Sequence, residues 1–209
     1  MRNDSPSLTD SYNAIEPDLK SIAASLLDNL SHLLERAEHI DKIATRVKAC
    51  KSFLDKARKI VDDNPKYNKP FQEIQDILGA RIVVFYKSDI EPVSKIIEKA
   101  FNSVEKQQLI PEDENEFGYE GLHYVLFVPP HIAGQYRSVP NIPTFFELQI
   151  KTLYQHAWAQ AEYGLGYKPG VQIDRDTKRK LAFVAAQSWG ADEMLETLYQ
   201  QIQTGKLSN

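Results

Sequence analysis

At residues 80–86 the sequence reads Ala-Arg-Ile-Val-Val-Phe-Tyr, a run rich in β-branched and aromatic side chains. Residues of these types favour strands, and an apolar run of this length predicts a buried strand. Further runs on either side predict strands at Ile43 to Lys48, Leu122 to Val128 and Phe145 to Thr152. The sequence therefore contains the elements of a sheet, with the 80–86 strand buried within it.

Around these strands, apolar residues recur at the three- and four-residue spacing of helices. The predicted helices are Ser11 to Glu38, Phe53 to Val61, Ile90 to Phe101, Leu153 to about Gly164, and Asp174 to Gln203. Pro17 is expected in the first turn of the first helix, and Asp174 is expected to cap the last one. This order predicts an α+β fold with one mixed, largely antiparallel sheet of about five strands, flanked by helices and with helices at both ends.

Composition narrows the class of protein. The 209 residues carry 25 basic and 29 acidic side chains, a net charge of −4, which argues against broad, non-specific coating of nucleic acid. Cys50 is the only cysteine, so no intramolecular disulfide forms, which fits a reducing cytosol. The first residues lack a signal peptide's apolar region, and no run of about 18 apolar residues occurs to span a membrane. We therefore expect a single cytoplasmic domain.

A group of basic residues lies where the first predicted strand leads into a helix. Arg46 and Lys48 are two apart and share a strand face, while Ser52 and Lys56 are four apart and share a helix face, with Lys59 one turn further. Free N–H groups at a helix N-terminus add to these cations, so the junction suits a polyphosphate. A solvated basic helix face would show the same spacing.

Two carboxylates lie next to predicted strands. Asp76 precedes the 80–86 strand, where a hard oxygen ligand for Mg²⁺ is often found, although turn residues of this type are also common there. Period-two alternation places Glu147, Gln149 and Lys151 on one face of the 145–152 strand. An ordinary solvent-facing strand would look the same, so each signal alone is open.

The segment Gly118-Tyr119-Glu120-Gly121-Leu122-His123 leads into another predicted strand. Two glycines beside an aromatic residue allow a loop to present the Tyr119 ring as a surface on which a nucleotide base can stack. A hairpin entry with a packed tyrosine is the alternative interpretation.

Together these segments resemble the synthetase domain of the RelA/SpoT family, which includes the stand-alone small alarmone synthetases. The resemblance covers about Ile43 to Lys168 and rests on four motifs in order: Arg-x-Lys-x3-Ser-x3-Lys, Asp-Ile-Leu-Gly-Ala-Arg-Ile, Gly-Tyr-x-x-Leu-His and Glu-Leu-Gln-Ile-Lys-Thr. It implies a nucleotidyltransferase-like fold in three parts: an N-terminal helical segment (residues 1–40), a synthetase core (41–168) and a C-terminal helix (169–209).

The resemblance implies an ATP-dependent pyrophosphokinase, in which a ribose hydroxyl attacks the β-phosphorus of ATP and AMP leaves. The residues implied to bind ATP are Arg46, Lys48, Ser52, Lys56, Lys59 and Arg81. Asp76 and Glu147 would coordinate Mg²⁺, and Glu147 with Gln149 would help to deprotonate the attacking 3′-hydroxyl. The family's hydrolase activity is not expected, because the sequence has no paired His-Asp motif upstream.

The same resemblance implies the acceptor side. Gly118 and Tyr119 would hold the acceptor base, and His123 would lie close to the acceptor's phosphates or ribose. Trp158 and Glu162, on the helix after the catalytic strand, would support the site from behind.

The identity of the acceptor is open. GDP or GTP, giving (p)ppGpp, is the favoured interpretation. Acidic residues at 112–114, 116 and 120, and Tyr163 where the small synthetases usually have histidine, are departures that favour a divergent branch. That branch includes toxins that modify the 3′ CCA end of tRNA, with a partner antitoxin, and others that make adenosine alarmones. For tRNA, the candidate backbone contacts are Lys42, Arg58, Arg175, Lys178, Arg179 and Lys180. An inactive nucleotide-binding regulatory module is a third reading, and homo-oligomerisation through the last helix is also open.

Overall fold

A computed structural model describes residues 7–111, 113, 116–118, 120–166 and 174–205. Its main sheet has five strands in the order β1-β4-β7-β6-β5. Their bounds are β1 Ile40–Val47, β4 Leu78–Val84, β5 Ser103–Leu109, β6 Gly121–Phe127 and β7 Phe145–Thr152, while β2 Ile60–Val61 and β3 Asn64–Pro65 form a separate hairpin. Only the β4–β7 pair is parallel. The predicted α+β fold with a mixed, largely antiparallel sheet is confirmed.

Helices flank the sheet, and the described chain begins and ends with a helix. They are α1 Leu8–Leu33, α2 Cys50–Ala57, α3 Pro70–Glu73, α4 Ile90–Ala100, α5 Pro130–Ala133, α6 Leu153–Gly166 and α7 Arg175–Gln203. Short 3₁₀ turns occur at Lys87–Asp89 and Gly134–Tyr136. None of the described helices combines the length and hydropathy that a membrane crossing requires.

The 80–86 run forms most of β4, which lies inside the sheet and is buried along almost its whole length. Its register places Gly79 opposite Arg46 of β1 on one side and opposite Glu147 of β7 on the other. Two residues along, Arg81 lies opposite Gln149. Because residues two apart share a face, β4 brings these polar side chains to one side of the sheet.

The opposite face of the sheet forms the apolar core with α1. The buried stripe of α1 is Tyr12, Ile15, Leu19, Ile22, Ala23, Leu26 and Leu30, and it packs against β1 and β4. Each leucine or isoleucine of this stripe contributes roughly 1.5–3 kcal/mol when fully buried. The Tyr12 hydroxyl donates to the Lys48 carbonyl, so α1 also holds the end of β1.

The first helix differs from its prediction at both ends. It begins at Leu8, because the Ser7 hydroxyl accepts a hydrogen bond from the Asp10 N–H at 3.1 Å, and it ends at Leu33. Pro17 therefore lies inside the helix, and its expected first-turn position was wrong. A proline there removes one backbone hydrogen bond, a cost that the buried stripe of α1 offsets.

The second helix was also predicted too far along the chain, at Phe53 to Val61. It spans Cys50–Ala57, and Ile60–Val61 instead pairs with Asn64–Pro65 in a hairpin. Asp62 and Asp63 turn the chain with φ of +48° and +60°. Short polar side chains tolerate this left-handed backbone, so the two aspartates form the turn that joins the strands of the hairpin.

Strand β5 was not predicted, because its sequence lacks an apolar alternation. Ser103–Leu109 reads Ser-Val-Glu-Lys-Gln-Gln-Leu, and nearly all its side chains are exposed. It is an edge strand that pairs with β6 only, so its backbone hydrogen bonds rather than side-chain burial define it.

Helix α7 is capped by Asp174 as predicted: its carboxylate accepts from the Thr177 N–H at 2.7 Å. Polar contacts dock α7 onto the corner after β4, where Glu196 accepts from the N–H and the hydroxyl of Ser88, both at 3.0 Å. The Tyr199 ring stacks on Tyr86 at 4.0 Å between centroids.

Asp192 is the buried polar residue of α7, at 4% exposure, and its carboxylate accepts from the Thr152 hydroxyl at 2.5 Å. Burial raises the pKa of Asp192 to about 6, and the nearby charges of Glu120 and Glu193 add to this, while the Thr152 hydrogen bond and the Lys87 charge oppose it. The folded state therefore binds a proton more tightly than the unfolded state.

This pKa predicts a specific pH dependence of stability. Since the folded pKa lies above the unfolded one, the wild-type chain loses free energy of unfolding as the pH rises through about 6. Asp192→Asn mimics the protonated carboxyl, so its stability relative to wild type should increase by about 1.5 kcal/mol between pH 5 and pH 7.5. Urea unfolding at the two pH values measures this.

The matched control is Asp176→Asn, an exposed acid on the same helix. Its stability relative to wild type should stay constant between the two pH values. An Asp192→Asn difference that is equally constant would show that Asp192 ionises normally in the folded chain.

Candidate active site

The polar face of the sheet is built from two rows of side chains that cross the strands. One row is Arg46, Gly79 and Glu147, and the next is Arg81, Gln149 and His123, each row following the strand register. A cavity of about 130 Å³ opens over these rows. Its lining is Ala44, Thr45, Arg46, Gly79, Ala80, Arg81, Glu147 and Gln149.

Gly79 is required by the close approach of Arg46. A Cβ atom at residue 79 would lie 3.2 Å from both Cγ and Nε of Arg46, closer than ordinary van der Waals contact. The Arg46 side chain can therefore pass close to the backbone of β4 because this position has no side chain.

A larger cleft of about 640 Å³ adjoins the rows where β1 runs into α2. It is lined by Arg46, Val47, Lys48, Ala49, Lys51, Ser52, Asp55, Lys56, Lys59, Asp76 and Tyr163. The structure thus brings together all the residues of the predicted basic group. Arg46 lines both this cleft and the smaller cavity, so the two spaces are neighbours.

Asp76 lies at the base of the basic cleft and bridges two lysines. Its Oδ2 accepts from Lys48 Nζ at 2.7 Å and its Oδ1 from Lys56 Nζ at 2.9 Å. Burial on its own would raise the pKa of Asp76, but these two hydrogen bonds and charges hold it below its ordinary value. The carboxylate is therefore ionised at neutral pH, and it fixes both ammonium groups in place.

Glu147 is held in a similar way by its neighbours on the sheet. Its Oε1 lies 3.1 Å from His123 Nδ1, and its Oε2 accepts from Gln149 Nε2 at 3.2 Å. Burial acts to raise the pKa of Glu147, and the Asp76 charge adds to this, but the hydrogen bond and charge of His123 hold it below its ordinary value. Two ionised carboxylates thus lie near enough to influence each other.

Gln149 presents an open acceptor to the cavity. Its Nε2 is used by Glu147, while its Oε1 is buried without a hydrogen-bond partner among the described residues. A buried carbonyl oxygen without a partner costs free energy, which a donor group on a bound substrate would recover.

Arg81 is oriented from α6, through a residue that sequence reasoning missed. Its Nη1 donates to His156 Nδ1 at 3.3 Å. Burial lowers the pKa of His156, and the charges of Arg81, Lys151 and Lys42 lower it further, so the ring is neutral and can accept. The only sequence signal was the position of His156 on the helix after β7.

Lys151 lies two residues after Gln149 on β7 and shares the strand face of Glu147 and Gln149, but only 2% of its surface is exposed. Burial lowers its pKa to about 7, with the Arg81 charge in the same direction and the Glu147 and Glu162 charges against it. Glu162, which was predicted to support the site, lies close enough to Lys151 for their charges to interact. Trp158, the other predicted support, lines a small space together with Trp189 and Asp192 of α7.

The acceptor side is described in part. His123 is hydrogen-bonded to Glu147, and Gly118 lines a small space beside α7. Tyr119 lies outside the described residues. Tyr163, which sequence reasoning singled out only as a departure, lines the basic cleft from α6. No pattern in the sequence indicated that Tyr163 would line this cleft.

Asp76 and Glu147 are the carboxylates available for a metal ion. Among the described residues, no group of three or more His, Cys, Asp or Glu side chains has the arrangement of a metal site. Mg²⁺ in phosphoryl-transfer sites is commonly held by one or two carboxylates plus substrate phosphates, so two ionised oxygen donors beside a basic cleft fit that ion.

Comparison with known proteins agrees with this geometry. Residues 45–172 match the family described as "Region found in RelA / SpoT proteins". That match covers more than half of the chain, which therefore belongs to the RelA/SpoT family.

Individual relatives refine the class. GTP pyrophosphokinase YjbM of Bacillus subtilis is 30% identical over 169 residues, covering 78% of this chain and 74% of the relative. GTP pyrophosphokinase YwaC of the same organism is 23% identical over 180 residues, covering 85% and 82%. These relatives confirm the prediction that this chain is a nucleotide pyrophosphokinase.

Solved structures show the same architecture. Small alarmone synthetase 1 of Bacillus subtilis superposes with a TM-score of 0.75 at 25% identity, covering 93% of this chain and 99% of the other. The structure of that protein bound to its product pppGpp gives 0.69 at 26% identity, covering 90% and 94%. The predicted fold and family are both confirmed.

Gly79→Ala tests the close approach of Arg46. The added methyl group forces the Arg46 side chain to shift by a few tenths of an ångström, so affinity for a non-hydrolysable ATP analogue should fall by about three- to tenfold. Isothermal titration calorimetry measures this. Gly134→Ala is the control, because nothing lies within 4 Å of its added Cβ, and it should bind like wild type. Unchanged affinity in Gly79→Ala would remove Arg46 from the ATP site.

Proposed function

We propose that this chain transfers the β,γ-pyrophosphate of ATP to the 3′-hydroxyl of a guanine nucleotide, GDP or GTP, to make (p)ppGpp. The observation that carries the proposal is the junction of two ionised carboxylates, Asp76 and Glu147, with the basic cleft. The curated relatives named GTP pyrophosphokinase, and the pppGpp-bound relative, support the guanine acceptor.

The basic cleft is the site for the ATP triphosphate. Ion pairs with Asp76 hold Lys48 and Lys56 in position before any ligand binds. Ser52 lies near the N-terminus of α2, the helix that also carries Lys56, and lines the same cleft. Cations that are already positioned lose little conformational entropy on binding, so the cleft is preorganised for phosphate oxygens. Arg46 and Lys59 line the cleft beside them, and Arg81 extends the ATP site over β4.

Asp76 and Glu147 are proposed to hold Mg²⁺ together with the ATP phosphates. When bound there, the ion would neutralise charge on the transferring group. The two lysines keep the Asp76 carboxylate ionised and fix its orientation. Asp76 can therefore interact both with these lysines and with the metal ion.

Glu147 is proposed to receive the proton of the attacking hydroxyl. As the acceptor O3′ forms its bond to the β-phosphorus, the bond from that phosphorus to the α,β-bridging oxygen breaks and AMP leaves. His123 and Gln149 hold both oxygens of Glu147, so the carboxylate has one orientation toward the cavity. The Oε1 of Gln149, which is buried without a partner among the described residues, is proposed to accept from a second ribose hydroxyl. Catalysis of this type depends on positioning and charge.

On the acceptor side, stacking of the base on Tyr119 stays a prediction. Glu120, which lies next to it in the chain, accepts from Gln155 Nε2 at 3.4 Å. One of the acidic residues of this region is therefore hydrogen-bonded within the protein by a residue of α6. A cytoplasmic location also stays a prediction.

The acceptor can be identified by following a label. Purified protein with Mg²⁺ and γ-labelled ATP should transfer label to GDP and GTP when these are offered in parallel with ADP and deacylated tRNA. Thin-layer chromatography separates the nucleotides and a denaturing gel resolves tRNA. Label on tRNA alone would identify tRNA as the acceptor in place of a guanine nucleotide, and label on ADP alone would identify ADP. A tRNA result would also direct the search to a partner antitoxin.

Two carboxylate variants test the catalytic assignment. Glu147→Gln and Asp76→Asn should each lower kcat by at least about a thousandfold, since one removes the proton acceptor and both remove a metal ligand. Circular dichroism should show an intact fold. Glu105→Gln, an exposed residue of β5, is the control and should keep full turnover. Turnover retained in both carboxylate variants would refute the metal assignment.

A further inference from the structure

Helix α7 lies beyond the family-matched residues 45–172, yet it reaches the acceptor side of the site. The Trp189 ring packs against the Phe117 ring at 5.8 Å between centroids and an angle of 61°. Phe117 directly precedes Gly118, which the sequence places in the acceptor loop. We use "acceptor loop" for residues 116–118 and Glu120.

A second contact to the acceptor loop comes from the start of α6. Thr152 and Gln155 form a reciprocal capping box: Gln155 N–H donates to Thr152 Oγ1 at 3.2 Å, and Thr152 N–H donates to Gln155 Oε1 at 3.1 Å. With its oxygen used in this way, Gln155 directs its amide Nε2 to Glu120 Oε2, at 3.4 Å. The box therefore joins the end of the catalytic strand β7 to the acceptor loop.

Asp192 of α7 holds the capping box in place. A hydroxyl has one proton, and Thr152 Oγ1 donates it to Asp192 Oδ2 at 2.5 Å while accepting from Gln155. Thr152 and Asp192 are both buried, at 0% and 4% exposure, so water does not replace this bond. One turn of α7 thus supplies Trp189 to one end of the acceptor loop and, through Thr152 and Gln155, Asp192 to the other.

We propose that Trp189 and Asp192 are positioning residues for the acceptor, and that α7 sets the affinity for the acceptor without affecting ATP. This rests on the proposed function, in which the acceptor loop binds the acceptor base. The separation follows from the lining of the two spaces: Trp189 and Asp192 line the small space against Gly118 and Glu120, while the residues that line the basic cleft come from β1, α2, the turn before β4 and α6.

The test uses the full chain and steady-state kinetics with ATP and GDP or GTP. Trp189→Ala should raise the KM for the guanine nucleotide by about tenfold, with kcat and the KM for ATP changed by less than about twofold. Trp189→Phe, which keeps an aromatic ring on Phe117, should restore most of the affinity. Met194→Ala, an exposed apolar residue at 61% on the same helix, is the matched control and should behave like wild type.

A double-mutant cycle separates positioning from a general loss of structure. Phe117→Ala and Trp189→Ala should not be additive in the acceptor KM, because each removes the same contact. Equal increases in both KM values, or additive effects of the two substitutions, would overturn the proposal.

Hydrogen exchange gives a readout that does not depend on the acceptor's identity. Amides at 116–118 and 120 should exchange faster in Trp189→Ala and in Asp192→Ala, which removes the acceptor of the Thr152 hydroxyl, than in Met194→Ala, while amides of α2 stay unchanged. If wild-type protein transfers no label to GDP or GTP, the proposed function fails, and the exchange result alone decides the positioning role. Unchanged exchange in the acceptor loop would overturn it.

Discussion

Strand β4 pairs antiparallel with β1 and parallel with β7, and the register of both pairs sets the geometry of the site. Gly79 lies between Arg46 and Glu147 in that register, so the cation proposed to bind ATP and the carboxylate proposed to act in catalysis are separated by one residue without a side chain. The same pairing aligns Arg81 with Gln149 two residues along. Because the opposite faces of β1 and β4 are buried against α1 and β7 packs against α4, a slip of one residue would expose the core, and the register is fixed by hydrophobic burial.

Electrostatic compensation allows many charges to share this small region. Burial of the Asp76 carboxylate alone would cost free energy, but Lys48 and Lys56 each donate a hydrogen bond to it. Glu147 is hydrogen-bonded by His123 and Gln149. Both partly buried carboxylates are therefore hydrogen-bonded, and Asp76 also lies between two cations, which is the condition under which such groups stay charged. The protein thus holds its candidate catalytic groups in place without a ligand.

Sequence reasoning recovered what depends on local pattern. The apolar run at 80–86 and the motif spacing gave the central strands, the basic cleft and the carboxylates. It failed where tertiary contacts decide: β5 exists through backbone pairing to β6, and the hairpin after α2 depends on two aspartates with left-handed backbone. Contacts such as those of His156 and Asp192 join residues 75 and 40 positions apart, which no local pattern can reveal.

The two halves of the site are supplied by different stretches of chain. The proposed ATP side comes mainly from β1, α2 and the turn before β4, whereas the proposed acceptor side comes from the segment before β6 and from α7, and α6 lines both. Natural selection can therefore vary the acceptor half by changing surface loops and the last helix while the donor half stays constant. A single scaffold of this kind can diversify toward new recipients of the same chemical group.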